Sequence, residues 1–428
     1  MSGTGDPDLT GLRVAIVNWR DPWHPGAGGA ERYAWEMGLA LAARGAVVHF
    51  LTARAPGQSR RDCRDGIAIT RLGGRFTVYP LVLAWLLAHR RSFDAVLDCQ
   101  NGIPFFTPCV LPRRVPVLCV MHHVHTAQFG VHFPPWLAWV GRLLEGPAAR
   151  LAYRRHACVA VSPSTVAAMR GRLRWRGDIY LIPNGIRAPA PALAGAPRRA
   201  LVMVGRLVAH KRAERILPVA ERLRSSGITI DVVGRGPASV PLAGGIAGRG
   251  LTGTVRLHGF LPEEEKQALV AGALLHLNTS QGEGWGLCVL EAAAAGVPTV
   301  AYDVDGLRDA VRDGETGWLV RSGELIEDVT ERALKELADP GRRAAVAAAC
   351  RAWAAQFSWD RSAARMAALV GAATARRTAR AGRRGAWIMP DGTVAEGPVL
   401  DLMLGRDPAV TPRRPATGDE RLLGREVP

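Results

Sequence analysis

The sequence predicts an α/β fold class in which two doubly wound, Rossmann-like parallel-sheet domains face a central cleft. Short apolar strands alternate with helical stretches along most of the 428 residues, and continuous apolar strands between helices are typical of a parallel sheet covered on both faces. A segment rich in proline and alanine interrupts this alternation once, after which it begins again. A chain of this length is too long for one ordinary domain, so we expect two.

The first domain is expected to comprise residues 1–186. The run "RVAIVNW" at 13–19 predicts a buried strand, and 28–45 has apolar residues at a spacing of three to four before a glycine, which predicts a helix. A second long helical segment is predicted at 135–155. Further strands are predicted at "AVVHFLTA", "FDAVLD", "VPVLCVMH", "ACVAVS" and "DIYLIPNG".

The second half of the chain repeats the pattern. We expect a linker at 187–199, a second domain at 200–357 and a helix at 358–370 that can cross back to the first domain. Residues 371–428 are rich in arginine, proline and glycine and are expected to be disordered, although "GAWIMPDG" could dock locally. Helices of the second domain are predicted at 211–226, 262–271 and 287–296.

The composition limits the class of partner and the location. A net charge of +17 suits an anionic partner such as a nucleotide, a nucleic acid or an acidic membrane, but an arginine-rich chain is also what a GC-rich genome encodes. The seven scattered cysteines, without a CxxC pair, favour a reducing environment. With no signal-peptide pattern and no apolar run of spanning length, we expect a cytoplasmic protein, with or without peripheral contact at the inner membrane face.

The stretch "SQGEGWGLCVLEAAAAG" combines glycines with two acids. Its strand ends near Ser280, and its helix is expected to begin near Gly286. The unpaired backbone N–H groups at a helix start attract anions, and glycines such as Gly284 allow a phosphate to approach the backbone. The sequence therefore predicts an anion site at the start of this helix.

The two acids of this stretch, Glu283 and Glu291, do not form a glycosidase pair. Eight residues of helix would separate them by roughly 12 Å, whereas glycosidase carboxylates lie about 5–9.5 Å apart. Carboxylates accept hydrogen bonds from vicinal hydroxyls. We therefore expect the two acids to bind the two ends of an extended ligand, Glu283 at a sugar and Glu291 at a second diol.

Two further strand-to-helix turns carry candidate site residues. Arg206 follows a strand and Lys211 begins the next predicted helix, a pair of cations suited to a pyrophosphate. Lys211 is one of only three lysines in the chain, although a solvated turn with ordinary surface cations is the alternative. The turn "HPGAGGAERY" places Gly28 and Gly29 at a helix start, as a second phosphate or sugar site or as a plain capping turn; it lacks the last glycine of a dinucleotide fingerprint.

Polar residues also follow two other strands of the first domain. His122 and His123 end one strand, with His125 close behind, and Gln100 and Asn101 end another. The histidines allow three interpretations: an active-site polar cluster, a structural role, or a metal site, which the absence of further ligands at standard spacing disfavours. Gln100 and Asn101 are candidate acceptor contacts.

Together these motifs resemble those of glycosyltransferase family 4, whose retaining members have the GT-B fold. "EGWGLCVLE" resembles the E-x7-E motif of the family, "GRLVAHK" its paired Arg and Lys, and "GGAER" its N-terminal glycine loop. "SPST", "IPNGI" and "VAYDVDGLRDAVRDGETGWLV" resemble further landmarks in the same order. The likeness extends from about residue 13 to 370 and specifies the family but not the substrate.

The resemblance implies a retaining, metal-independent hexosyltransferase without a cofactor. Its substrates would be a nucleoside diphosphate sugar, bound by the second domain, and an acceptor hydroxyl on a glycan, glycolipid or cell-envelope precursor, bound by the first. The catalytic residues would be His122, Glu283, Arg206 and Lys211. Donor binding would also involve Gly28, Gly29, Gly284, Gly286, Leu287 and Glu291. The acceptor side would include Gln100, Asn101 and His123.

Two other functions and one further partner stay open at this point. The chain could be another GT-B enzyme such as a nucleotide-sugar epimerase, or a non-catalytic sugar-nucleotide-binding protein. No nucleic-acid motif is present, so no nucleic-acid partner is expected. Segment 136–155 mixes Trp and Leu with Arg, which is consistent with a helix on an anionic membrane or with a core helix that has solvated arginines.

Overall fold

A computed structural model describes residues 7–126, 128–187, 198–378, 387–388 and 394–395. Within these residues the chain forms two α/β units, each built on a largely parallel sheet, so the predicted fold class is confirmed. Most of the predicted linker and most of the predicted tail lie outside the described residues. Among the described helices, none is both long and apolar enough to cross a bilayer.

The first sheet contains eight strands. Buried apolar residues alternate across its central strands, and two separate apolar cores cover its two faces. The strands are β1 Arg13–Val17, β2 Val47–Thr52, β3 Arg61–Arg64, β4 Ile67–Arg71, β5 Ala95–Gln100, β6 Val117–Met121, β7 Ala157–Ala160 and β8 Ile179–Leu181. Their order is β3-β4-β2-β1-β5-β6-β7-β8, and every pair is parallel except β3 with β4.

Helices cover both faces of this sheet. They are α1 Gly29–Ala42, α2 Val78–Ala88, α3 Phe129–His132, α4 Pro135–Leu143, α5 Ala149–Ala152 and α6 Pro163–Gly171. A π-helical turn, Leu144–Ala148, joins α4 to α5, so the helix predicted at 135–155 is present as three consecutive pieces. Helix α1 packs on one face of the sheet, while α2, α5 and α6 pack on the other.

The second sheet contains six parallel strands. They are β9 Ala200–Val204, β10 Thr229–Val233, β11 Val255–Gly259, β12 Leu275–Asn278, β13 Thr299–Tyr302 and β14 Gly317–Val320, in the order β11-β10-β9-β12-β13-β14. The helices are α7 Ile216–Leu223, α8 Ser239–Gly248, α9 Glu263–Ala271, α10 Leu287–Ala294, α11 Leu307–Ala310, α12 Ile326–Leu337, α13 Pro340–Ala354 and α14 Trp359–Thr378. Two short strands, β15 Trp387–Ile388 and β16 Val394–Ala395, pair with each other in "GAWIMPDG" and the residues after it.

The structure corrects two predicted element boundaries. The helix predicted from Lys211 begins only at Ile216, and Lys211 ends a short 3-10 turn, because Arg212 has a left-handed backbone (φ 46°) that interrupts helical hydrogen bonding. Helix α14 continues to Thr378, eight residues into the segment predicted to be disordered. Its Gly371 lies against Leu9, which gives this extension a packing partner.

Helix α14 returns the chain to the first sheet. Ser358 forms a β-bridge with Ile186, and Ser362 Oγ donates a hydrogen bond to the Pro183 carbonyl at 2.6 Å. The Trp359 ring lies 6.2 Å from that of Tyr33 in α1. The helix predicted to cross back to the first domain therefore contacts it, while the exact domain limits stay a prediction.

Candidate functional site

A cavity of about 520 Å³ lies between the two sheets. Most of its lining comes from the loops that follow β1, β5 and β6 in the first sheet and β9 and β12 in the second, and Val161, Asn184 and Lys266 complete it. These loops lie at the carboxyl ends of parallel strands, where doubly wound sheets bind ligands. Both domains therefore supply the walls of one cleft.

Every residue predicted for the site lines this cavity except Gln100. The Gln100 side chain is buried within β5, and its Nε2 donates to the Gly102 carbonyl at 2.9 Å. It thus stabilises its own loop and does not face the cleft. Asn101 does line the cavity and donates to Asn18 Oδ1 at 3.2 Å.

Lys211 and Glu283 form an ion pair in the wall of the cleft. Both side chains are largely buried, and Ser280 Oγ donates a further hydrogen bond to Glu283 Oε1 at 2.7 Å. Burial acts to raise the pKa of Glu283, but Lys211 and Ser280 outweigh it and the pKa is lowered. Burial acts to lower the pKa of Lys211, but Glu283 raises it above its usual value. Both groups are therefore charged at neutral pH.

Helix α10 points its start at the same cavity. Gly286 precedes its first turn with a left-handed backbone (φ 79°), and Leu287 is its first residue. Glu291, in its second turn, is paired with Lys266 at 3.3 Å. Lys266 also contacts Glu263 at 2.9 Å, and the two acids raise its pKa against the effect of burial. Lys266 was not predicted, because it lies within helix α9 and not directly after a strand.

The glycine loop of the first domain meets Arg206 across the cleft. Arg206 Nη1 lies 3.4 Å from the Gly26 carbonyl, which also accepts a hydrogen bond from Arg20. The Glu31 carboxylate accepts from the Gly28 N–H at 2.8 Å, as the capping box of α1. Burial raises the pKa of Glu31, while Arg20 and Arg206 oppose this. Glu31 also lines the cavity; its position three residues after Gly28 was the sequence signal for it.

His122 and His123 bring two imidazoles to the cleft. Burial, with a smaller effect of His125, lowers the pKa of each to about 3, so both are neutral at physiological pH. His122 Nε2 is buried without a hydrogen-bond partner among the described residues, and its ring lies edge-on to Tyr33 at 5.1 Å. An unpaired polar atom in a cleft wall is available to a ligand.

The loop after His122 is fixed by a buried acid. Glu145, in the π-helical turn, is fully buried and accepts from the His125 N–H at 2.5 Å and from Thr126 Oγ1 at 2.9 Å. His125 Nδ1 contacts the His123 carbonyl at 2.9 Å. These contacts hold the histidine loop in the cleft. Glu145 was not predicted from the sequence.

The described residues contain no group of three or more His, Cys, Asp or Glu that could hold a metal ion. The three clustered histidines thus do not assemble a metal site within the part of the chain that the structure describes. Lys211 and Arg206 line the cavity together with the start of α10.

Comparison with known proteins identifies the family. A model described as "Glycosyltransferase Family 4" matches residues 27–188, and one described as "Glycosyl transferases group 1" matches residues 191–353. The two matches follow one another along the chain and cover both sheets except strand β1. The chain belongs to glycosyltransferase family 4. The resemblance found in the sequence is thereby confirmed.

Curated relatives of this family 4 member include enzymes named D-inositol 3-phosphate glycosyltransferase. That of Rhodococcus jostii is 35% identical over 207 residues, which cover 44% of this chain and 43% of the relative. That of Mycobacterium tuberculosis is 34% identical over 233 residues, which cover 50% and 46%. The matched part thus spans less than half the length of these relatives.

Solved structures establish the same fold. A sucrose-phosphate synthase from Thermosynechococcus elongatus superposes with a TM-score of 0.71 at 20% identity, over 84% of this chain and 98% of the other. HepE of Anabaena, solved in complex with UDP-glucose, has a TM-score of 0.64 at 18% identity, over 83% and 98%. The family 4 member therefore has the GT-B fold.

Proposed function

We propose that the chain is a retaining, metal-independent glycosyltransferase that moves a hexose-type sugar from a nucleoside diphosphate sugar to an acceptor hydroxyl. The observation that carries this proposal is the Lys211–Glu283 ion pair, which lines the interdomain cleft next to the start of α10 and to Arg206. A cation for a diphosphate and a carboxylate for sugar hydroxyls are thus adjacent. This is the arrangement that a sugar nucleotide needs.

Each group has a part of the donor to bind. Arg206 and Lys211 bind the diphosphate, and the backbone N–H groups at Leu287 face it from the start of α10. Glu283 accepts hydrogen bonds from the sugar hydroxyls. Glu291, farther along α10, accepts those of the ribose.

The proposed reaction uses these contacts. The bond between sugar C1 and the diphosphate oxygen breaks, and a bond from C1 to the acceptor oxygen forms on the same face. The acceptor proton passes to the departing phosphate, so no protein base is required. Charge grows on the diphosphate as the bond breaks, and the fixed cations Arg206 and Lys211 stabilise it. His122, neutral and with an unpaired Nε2, provides a polar contact for the sugar.

Replacement of Lys211 or Glu283 by alanine tests the proposal. We expect each change to lower kcat/KM by about 100-fold or more, because each removes a group that acts on the reacting donor. Lys335→Ala is the control, since Lys335 is an exposed lysine paired with Glu331 on α12. Circular dichroism verifies folding. Wild-type activity in either cleft variant would contradict the assignment.

Retention and metal independence are tested on the wild-type enzyme. NMR of the product is expected to show the donor's anomeric configuration, and activity is expected to survive EDTA. An inverted product, or a strict requirement for a divalent ion, would overturn these parts of the proposal.

Two alternative functions give different products. A nucleotide-sugar epimerase forms product from the donor without an acceptor, and a non-catalytic binding protein forms none. We expect slow hydrolysis of donor alone and fast transfer once the acceptor is supplied.

Donor and acceptor are identified with panels. UDP and GDP sugars are both candidates, and UDP-glucose is favoured as a first donor because HepE was solved with it. Inositol 3-phosphate belongs among the acceptors because of the names of the relatives. Glycans, glycolipids and lipid-linked cell-envelope precursors complete the panel. A lipid-linked acceptor would place the enzyme in the cytoplasm with peripheral contact at the inner membrane face.

A further inference from the structure

The helix pair α4–α5 exposes apolar side chains along one side. Trp136 is 69% exposed, Trp139 63% and Leu151 64%, and Leu143 lies between them at 40%. Their spacing of three, four and eight residues places them on one face of a nearly continuous helix. The opposite face is buried and made of small residues such as Ala138 and Gly141, so the large apolar residues are those that face outward.

Helix α2 exposes a second apolar side in the same layer. Its Val82 belongs to the same apolar core as Tyr153, which directly follows α5, so α2 and α5 cover the same face of the sheet. Leu87 is 48% exposed and Leu81 44%, and Phe76, two residues before α2, is 64% exposed. We name the combined surface the apolar helical face; its residues are Phe76, Leu81, Leu87, Trp136, Trp139, Leu143 and Leu151.

The charges around this face have one sign. The segments that form and connect it, 72–93, 101–115 and 129–157, contain a single acid, Glu145, which is fully buried. The same segments contain nine arginines: Arg75, Arg90, Arg91, Arg113, Arg114, Arg142, Arg150, Arg154 and Arg155. An exposed apolar surface is thus framed by arginines, and the acid that directly follows segment 72–93, Asp94, is paired with Arg13.

We propose that the apolar helical face binds the surface of an anionic lipid bilayer. Tryptophan side chains favour the boundary between headgroups and acyl chains, and arginines near it attract anionic lipids while their stems extend along apolar surface. A second copy of this chain fits less well, because it would bring two sets of nine arginines together. Several weak apolar contacts together with several weak arginine–headgroup contacts are typical of a peripheral, reversible association with a bilayer.

The bilayer-facing helices are connected directly to the cleft. Glu145 lies in the turn between α4 and α5, and its carboxylate fixes the backbone of His125, which lines the cavity. A lipid-linked acceptor would therefore arrive on the side of the cleft that the first domain forms. This step rests on the proposed function, whereas the binding of lipid by the apolar helical face does not.

Sedimentation with vesicles tests the proposal on the full chain. We compare vesicles of phosphatidylcholine alone with vesicles of equal parts phosphatidylcholine and phosphatidylglycerol. The wild-type protein is expected to bind the anionic vesicles and to lose binding at high salt. The double variant Trp136→Ser/Trp139→Ser is expected to bind about tenfold more weakly, and Arg154→Gln/Arg155→Gln to bind more weakly with a smaller salt effect.

A matched control changes two exposed apolar residues outside this face, Val240→Ser/Leu325→Ser, and should bind as the wild type does. Equal binding by the wild type and the Trp136/Trp139 variant would overturn the proposal, and would indicate that other arginines bind the vesicles. Self-association of the wild type that this variant abolishes would assign the face to a second copy. Donor hydrolysis is also measured without vesicles and is expected to be the same in the wild type and the Trp136/Trp139 variant. This measurement distinguishes failure of the membrane proposal from failure of the proposed function.

Discussion

At the scale of single residues, the two domains meet through backbone as well as side chains. A Cβ atom added to Gly284 would lie 2.3 Å from the His122 carbonyl oxygen. A Cβ atom added to Gly29 would lie 2.7 Å from Leu287 Cδ1. The loops that carry the candidate catalytic residues of both domains thus touch each other at these points. Gly284 and Gly29 therefore allow the two walls of the cleft to approach each other.

Gly284→Ala is expected to separate the cleft walls. The His122 carbonyl belongs to the backbone and cannot rotate away, so the two loops have to move apart. We expect kcat/KM for the donor to fall at least about tenfold, with both domains still folded, since a displacement of about 1 Å can cost about 100-fold in rate. Steady-state kinetics and circular dichroism measure this.

Gly282→Ala is the matched control for that change. Its nearest neighbour would be His123 Cε1 at 3.6 Å, an ordinary contact. Comparable defects in the two variants would show that the contact between Gly284 and His122 is not the cause.

The sequence predicted most of the residues at the site because strand ends in a parallel sheet meet at one edge. Lys211, Glu283 and His122 each follow a strand and were found in this way. Lys266 lies on α9 and Glu145 in a turn between helices, so their positions depend on packing that no local pattern encodes. Gln100 has the right position but the wrong side-chain direction, because alternate residues of a strand point to opposite faces.

At the scale of elements, α14 joins the end of the second sheet to the first. Its Ser362 is buried and donates to the Pro183 carbonyl, and its neighbour Trp359 contacts Tyr33 of α1. The helix therefore bypasses the linker and forms a second connection between the domains.

Ser362→Ala is expected to lower the free energy of unfolding by about 1 kcal/mol, because a buried carbonyl loses its partner. Urea unfolding followed by tryptophan fluorescence measures the change. Ser322→Ala, at an exposed serine, should alter the free energy by less than about 0.5 kcal/mol. A neutral Ser362 variant would mean that apolar packing alone holds α14.

Periodicity predicted the strands and long helices of both sheets but missed other elements. Helix α2 is apolar almost throughout, so it has no clear helical period. Strand β3 has four residues and is mostly exposed, and its antiparallel partner β4 has only five residues. The left-handed residue Arg212 is not distinguishable from its neighbours by residue type, so the 3-10 turn at Lys211 could not be predicted.

At the scale of the whole molecule, both domains contain histidines held neutral by burial. His122 and His123 belong to the first domain and His276 to β12 of the second, and the pKa of each is lowered to about 3. The unfolded chain binds a proton at each of these sites near pH 6.5. Acid therefore favours unfolding at these sites as the pH falls from about 6.5 towards 3.

His276→Gln isolates one of these contributions. Burial, together with the nearby positive charge of Lys211, keeps His276 neutral in the folded state. Below pH 6.5 the wild type should therefore lose about 1.4 kcal/mol per pH unit more stability than the variant. Urea unfolding at several pH values measures the difference. His89→Gln, at an exposed histidine, is the control, and parallel pH curves for wild type and His276→Gln would contradict the burial argument.

The Lys211–Glu283 ion pair has a consequence for the order of events in turnover. If Lys211 binds the diphosphate and Glu283 the sugar, an intact donor gives both charges a new partner. The spent nucleotide occupies only Lys211 and leaves the buried Glu283 carboxylate without its cation, with the Ser280 hydrogen bond still in place, which is unfavourable. We therefore expect the pair to favour departure of the nucleoside diphosphate after transfer, so that the enzyme discriminates against its own product and avoids inhibition by it.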